Sequence, residues 1–206
     1  MKRRVWFSGI LVLVMAALAS AAVGDEKEKK AAGAGPPDEK AAMEAMMKAA
    51  TPGGSHKKLD AIVGTFDATV KMWMDPSKPA QESSGKEENR WVLGNRYVEQ
   101  HYDGTFMGQP FSGIGYTGYD NITKKYVGTW MDTAGTSIMT STGESDARGK
   151  VMTFTGTSND PMTGKPFKVT TKITVADNDH HSMEMWGPDP TGKSYKMMEI
   201  TYTRKK

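Results

Sequence analysis

The chain of 206 residues contains no cysteine. Disulfides, thiol catalysis, cysteine-ligated metals and a lipid-modified cysteine are therefore excluded. The fold must be held by its core, and about 150 residues can bury enough apolar surface for that. Histidine is scarce, with four in all: His56, His101, His180 and His181. Neighbours on a strand point to opposite faces, so His180 and His181 cannot easily share a metal. There is no HExxH, nucleophile elbow, P-loop or dinucleotide fingerprint. Asp120 and Asp132 flank one hairpin and are the remaining candidates for an acid–base pair, although Asp120 also sits where a turn residue belongs. Enzymatic activity is left open but disfavoured, and no catalytic residue is assigned.

Past residue 21 the chain lacks any long apolar run. Before it, Lys2, Arg3 and Arg4 precede Val5 to Leu18, an apolar stretch broken only by Ser8 and Gly9, and Ala19-Ser20-Ala21 follows. Basic, apolar and small-x-small in that order is a secretory signal peptide. Residues 1–21 are expected to be removed, leaving a periplasmic or secreted protein with no stable membrane insertion. The run is short for a transmembrane helix, and an uncleaved anchor is the alternative. Strong net charge is absent too. Cleavage removes three positive charges and no negative ones, which takes the formal charge of +3 to about zero. No electrostatic footprint for nucleic acid remains.

Residues 22–54 read as a flexible linker with one short helix. Asp25 to Asp38 is charged, then rich in Ala, Gly and Pro, and cannot build a core. Glu39 to Ala50 has helical character, with Asp38 placed to cap it and Pro52-Gly53-Gly54 to stop it. Met43, Met46, Met47 and Ala50 fall on one face, which suits a helix docked loosely on the domain. A thioether copper(I) site is the sharper alternative for those methionines.

Residues 55–206 form the domain. His56 to Val63 reads as one or two helical turns with Leu59, Ile62 and Val63 inward. Alternating segments then follow: Thr65–Met74, Gln81–Leu93, Arg96–Tyr102, Phe111–Tyr119, Tyr126–Asp132, Thr136–Glu144, Val151–Thr157, Pro166–Val175, His180–Trp186 and Lys193–Arg204. Gly113, Gly115 and Gly118 within one segment imply sharp curvature or close approach of another group. Asp160-Pro161 through Lys165 and Asp189-Pro190 through Lys193 repeat the same turn chemistry. Ten strands, short turns and no interposed helix argue an all-β, antiparallel, up-and-down barrel closed on itself.

Leu59 to Phe66, the GYDN at 118–121, the YVGTWMD at 126–132 and the terminal MEITYTR at 198–204 together resemble an uncharacterised bacterial family, domain of unknown function family 1579. The likeness spans about residues 55–206. More distantly the chain is similar to the calycins, the lipocalin and fatty-acid-binding-protein barrels. Those begin their first strand with Gly-x-Trp, and a basic residue of the last strand packs over the Trp. The resemblance implies that Gly64, Phe66 and Arg204 form this closure, with Phe66 in place of Trp. A Trp at 66 would then be tolerated.

A barrel of this size has room for a small apolar molecule. Trp91, Tyr116, Trp130 and Tyr202 come from four separated strands and are the candidate cavity residues. Each offers an apolar face and one hydrogen-bond donor. No cofactor is expected. The alternatives are a haem- or metal-dependent activity with His101 or His181 as ligand, by analogy with His-ligated haem barrels, and a filled barrel acting as an interaction module. The exported protein should have an intact mass beginning near Ala22. Met1 retained in a membrane fraction would show an anchor instead.

Overall fold

A computed structural model of the chain describes residues 38–206. The expected signal peptide, residues 1–21, and residues 22–37 of the expected linker lie outside the described residues. Helix α1 spans Glu39–Ala50, α2 spans Gly54–Lys57, and a 3₁₀ turn runs from Lys58 to Ile62. Ten strands follow: β1 (Gly64–Met72), β2 (Gln81–Val92), β3 (Tyr97–Phe106), β4 (Gln109–Asp120), β5 (Lys125–Asp132), β6 (Met139–Ser145), β7 (Val151–Asn159), β8 (Pro166–Val175), β9 (His180–Pro188) and β10 (Ser194–Arg204). Each pairs antiparallel with the next, and β1 pairs with β10, so the sheet closes into an up-and-down barrel without an edge.

Several boundaries differ from the sequence reading, two of them at turns. The third strand was expected to end at Tyr102, but Asp103 and Gly104 lie inside the β3–β4 ladder. The chain instead turns at Met107-Gly108, with φ of 52° and 76°. Two successive positive φ values give the twist that a tight hairpin needs. Leu93, expected at the end of β2, has a φ of 50° and belongs to the β2–β3 turn.

Register fixes which residues face inward. Phe66 stands opposite Arg204 and Glu87, Ala68 opposite Tyr202 and Gly85, and Val70 opposite Ile200 and Ser83. The same parity continues around the barrel through Tyr102–Gly113, Gly115–Trp130, Gly128–Ser141, Phe154–Thr171 and Ile173–Met183. Gly113 and Gly115 show why β4 carries glycine. A Cβ at either position would come within 3 Å of the Trp130 ring lying across them.

One end of the barrel is closed by the segment before β1. Leu59 and Ile62 of the 3₁₀ turn pack with Val98, Tyr126, Met152 and Phe154, all buried. Burying an aliphatic or aromatic side chain contributes roughly 1.5–3 kcal/mol, so this plug stabilises the end it closes. Tyr126 donates its hydroxyl to the Ser55 carbonyl at 2.8 Å, which ties α2 to β5. Helix α1 lies outside the core. It has no buried residue, and Met43, Met46 and Met47 are exposed. The Asp38 side chain makes no capping hydrogen bond. The helix is held at its C-terminal end, where Asn121 Nδ2 donates to the Ala49 and Thr51 carbonyls at 3.0 and 2.7 Å.

The first and last strands are clasped at the closed end. The Arg204 guanidinium lies 4.6 Å from the Phe66 ring centroid. It donates to the carbonyls of Val63 at 2.6 Å, Asn178 at 2.8 Å and Ala61 at 3.3 Å. Gly64 has φ of 137°, and a Cβ there would stand 2.0 Å from Arg204 Nη1. Phe66 itself is fully buried, edge-on to His181 at 4.6 Å. The larger indole expected to be tolerated at 66 would have to enter this fully buried position. Arg204→Ala should cost about 3 kcal/mol, from the lost ring contact and three carbonyls left without their donor, read as a lower denaturation midpoint. Phe66→Trp should cost about 1–3 kcal/mol by overpacking. Unchanged midpoints for both would show that closure does not depend on the clasp.

Candidate functional site

The plug fills one half of the barrel, and the other half is hollow. A cavity of about 830 Å³ runs from mid-barrel to the loops at the opposite end, including Met74 and the Met107-Gly108 turn. A filled barrel is thus not what the chain builds. Met72, Met139, Met183, Met185 and Met198 line the wall with Phe106, Phe111 and Trp130. Methionine is unbranched and polarisable, so such a wall adapts to the shape of an occupant. A bulge between Lys196 and Met198 in β10 brings Met197 to the lining as well.

The floor is polar. Glu87, Gln100, Thr117, Tyr102, Tyr202 and His181 face the cavity where it meets the plug. Thr117 Oγ1 donates to Gln100 Oε1 at 2.9 Å, and Gln100 Nε2 lies 3.4 Å from Glu87 Oε1. Asn89 Nδ2 donates to Glu87 Oε1 at 2.7 Å and to the Ile62 carbonyl at 2.8 Å. The Tyr202 hydroxyl also faces Glu87. Asn89, Gln100 and Tyr202 point toward the Glu87 carboxyl, yet burial pushes its pKa above the usual carboxylate range. Burial, with the neighbouring Glu87 charge second, raises the Tyr202 phenol well above its ordinary value. His181 is stacked on Tyr202 with centroids 4.3 Å apart. Its pKa is lowered to about 4, by burial first and by the Arg204 charge second.

The candidate residues divide. Trp130 and Tyr202 line the cavity, Trp130 on the wall and Tyr202 at the floor. Trp91 faces inward but at the closed end, where it packs on the plug and its Nε1 donates to Asp60 Oδ1 at 2.9 Å. Its expected place in the cavity is corrected: alternation gives the face of a strand, not the height along the barrel. Tyr116 is corrected as well. The inward positions beside Tyr116 are Gly115 and Thr117, and Tyr116 stands on the outer face with its hydroxyl 2.9 Å from Glu99. His101 is on that outer face too, 3.4 Å from Glu99, whereas His181 faces the cavity. Gly64, Phe66 and Arg204 form the clasp below the floor. Asp120 and Asp132 do not meet. Asp120 accepts from Ile122 and Thr123 in the β4–β5 turn, and Asp132, at the other end of β5, accepts from Trp130 Nε1 and Ala134.

The sequence matches the family described as "Protein of unknown function (DUF1579)" over residues 51–204. The chain belongs to that family. No curated protein matches it. Among solved structures, the DUF1579 barrel is similar to Rv2717c from M. tuberculosis, with a TM-score of 0.55 and 14% identity over 76% of this chain and 100% of that one. At that identity the likeness concerns the fold alone. A redesigned β-barrel aligns at a TM-score of 0.38 and 17% identity, over 72% of this chain and 96% of its own, and carries no argument.

Glu87 and the methionine wall are what sequence reasoning missed in the DUF1579 chain. The neutral His181 also gives stability a defined pH dependence. Unfolded, the imidazole titrates near its ordinary value of 6.5. Stability tied to its neutral form is complete above that value and is lost as pH falls toward 4, by roughly 3 kcal/mol. Burial lowers His56 with the same sign. Glu87 acts oppositely, because its raised pKa weakens the fold as pH rises above the usual carboxylate range. Between pH 7 and 4, wild type should lose roughly 3 kcal/mol more than His181→Phe in denaturant unfolding. Parallel curves for the two proteins would show that His181 is not buried neutral.

Proposed function

We propose that this DUF1579 protein is exported and binds a small, mostly apolar molecule inside its barrel. The observation that supports this most is the cavity itself. Its volume of about 830 Å³ falls within the roughly 300–1,000 Å³ of small-molecule sites. Its wall of methionine and aromatic side chains suits an apolar body, and its polar floor suits one polar end. The proposal of export rests on the order of residues 1–21. A calycin-like classification is part of the same reading, supported by the Gly64, Phe66 and Arg204 clasp.

The second reading, a haem- or metal-dependent activity, rests on His181 alone. His181 faces the cavity with a neutral imidazole, the form that ligates a metal. Its ring is wedged between Tyr202 and the edge of Phe66, so ligation would require this stack to open. His101, on the outer face, leaves the argument.

Native mass spectrometry of the protein purified from its own host, with an absorption spectrum, separates these readings. The expected result is a bound organic mass of a few hundred daltons and no Soret band. A Soret band would favour the haem reading. Long-chain alcohols should quench tryptophan fluorescence in titration, and Trp130→Phe should remove the larger part of the change. No bound mass and no quenching by any compound would reject ligand binding.

A further inference from the structure

The floor of the cavity also indicates which polar end a ligand carries. Among the described residues that line the cavity there is no lysine or arginine, while Glu87 and Asp132 face it. A fatty-acid carboxylate would lose its hydration there and meet only like charge. Glu87 is 3% exposed, and no lysine or arginine among the described residues pairs with it. Fully buried carboxylates are seldom left unpaired. The polar groups packed against Glu87 come from three strands: Asn89 of β2, Gln100 and Tyr102 of β3, and Tyr202 of β10, with Thr117 of β4 bonded behind Gln100. None is a cation. The donors of Thr117, Gln100, Asn89 and Tyr202 are already directed along the network that ends on Glu87. The hydrogen-bonding capacity that remains is weighted toward acceptors. His181 is 5% exposed, lines the same floor, and its Nδ1 has no hydrogen-bond partner. In a neutral imidazole one ring nitrogen is an acceptor.

We propose that the cavity takes an amphipathic amine, an apolar chain or ring system ending in one protonated nitrogen that seats on Glu87. This rests on the ligand-binding reading above and deepens it. The ammonium supplies the positive charge that the floor lacks, and the donors around Glu87 stabilise the carboxylate in the pair. Where Glu87 is protonated before binding, the incoming ammonium keeps its proton, the carboxyl O–H bond breaks, and that proton leaves to solvent. Amine binding therefore releases up to one proton and strengthens as pH rises, while binding of a neutral alcohol does neither. His181 stays neutral across that range, and Tyr102 and Tyr202, both raised by burial, stay protonated.

The test is a calorimetric titration of the full chain with decylamine, decanol and decanoate at pH 6 and pH 8, in buffers of different ionisation enthalpy. Decylamine should bind at least tenfold more tightly than decanol, and decanoate more weakly than both. Decylamine affinity should rise from pH 6 to pH 8 and decanol affinity should stay level. Glu87→Gln should bring decylamine down to the decanol affinity and leave decanol unchanged. Should that variant fail to fold, the ranking of the three compounds on wild type decides alone. Decanoate binding as tightly as decylamine, or a decylamine preference surviving in folded Glu87→Gln, would overturn the amine assignment while leaving a ligand-binding barrel. No binding of any of the three would overturn both readings.

Discussion

Arg204 covers the Phe66 ring and hydrogen-bonds carbonyls from the 3₁₀ turn, the approach to β1 and the β8–β9 turn. Those three places are far apart in sequence, and they meet only if β1 has found β10. An up-and-down barrel makes nine of its ten strand pairings between chain neighbours, and the tenth alone joins the two ends of the domain. That last pairing carries the largest loop-closure entropy, so it gains most from interactions beyond the backbone ladder. The clasp supplies them through a planar cation with five donors, a geometry that lysine would not reproduce. Gly64 follows from the same geometry, because the space a Cβ would fill is occupied by the guanidinium.

Closure then dictates where the core can be. Ten strands enclose more volume than their inward side chains fill. The segment before β1 divides that volume. Leu59 and Ile62 enter one end, and Val98, Tyr126, Met152 and Phe154 pack on them. A second cluster, Phe66, Ala68, Val70, Tyr102, Ile200 and Tyr202, forms the lower wall around the floor. Above it the lining turns to methionine and the packing stops. The barrel therefore has a stability half and a hollow half. The indole of Trp130 lies in the hollow half because β4 offers Gly113 and Gly115 to receive it.

Much of this was legible from alternation alone. Strand number, antiparallel order, and the inward parity of β1, β5 and β10 all follow from period two and turn chemistry. What alternation cannot give is height along the barrel axis, and so Trp91 was placed in the cavity when it belongs to the plug. Nor does residue size reveal facing when a neighbour supplies the bulk. Tyr116 looked inward because it is aromatic, whereas the inward residue before it is Gly115, covered by a ring from β5. Glu87 was hidden for a third reason. QESSGKEENRWV reads as a solvated strand, and only register, with Phe66 on one side and Tyr102 on the other, shows that one of its glutamates is inside.

Glu87 is also where local rules and the fold disagree most. A protonated or apolar residue of similar shape would satisfy Phe66 and Tyr102 without the cost of burying an acid. Retaining the carboxyl, with three polar side chains aimed at it, weakens the fold once the acid ionises. The costs are concentrated at one level of the barrel, between a packed plug and an open cavity, and none is needed to close the sheet. A group that stability does not require, held in a fixed geometry at the base of a cavity, is best accounted for by what enters from above.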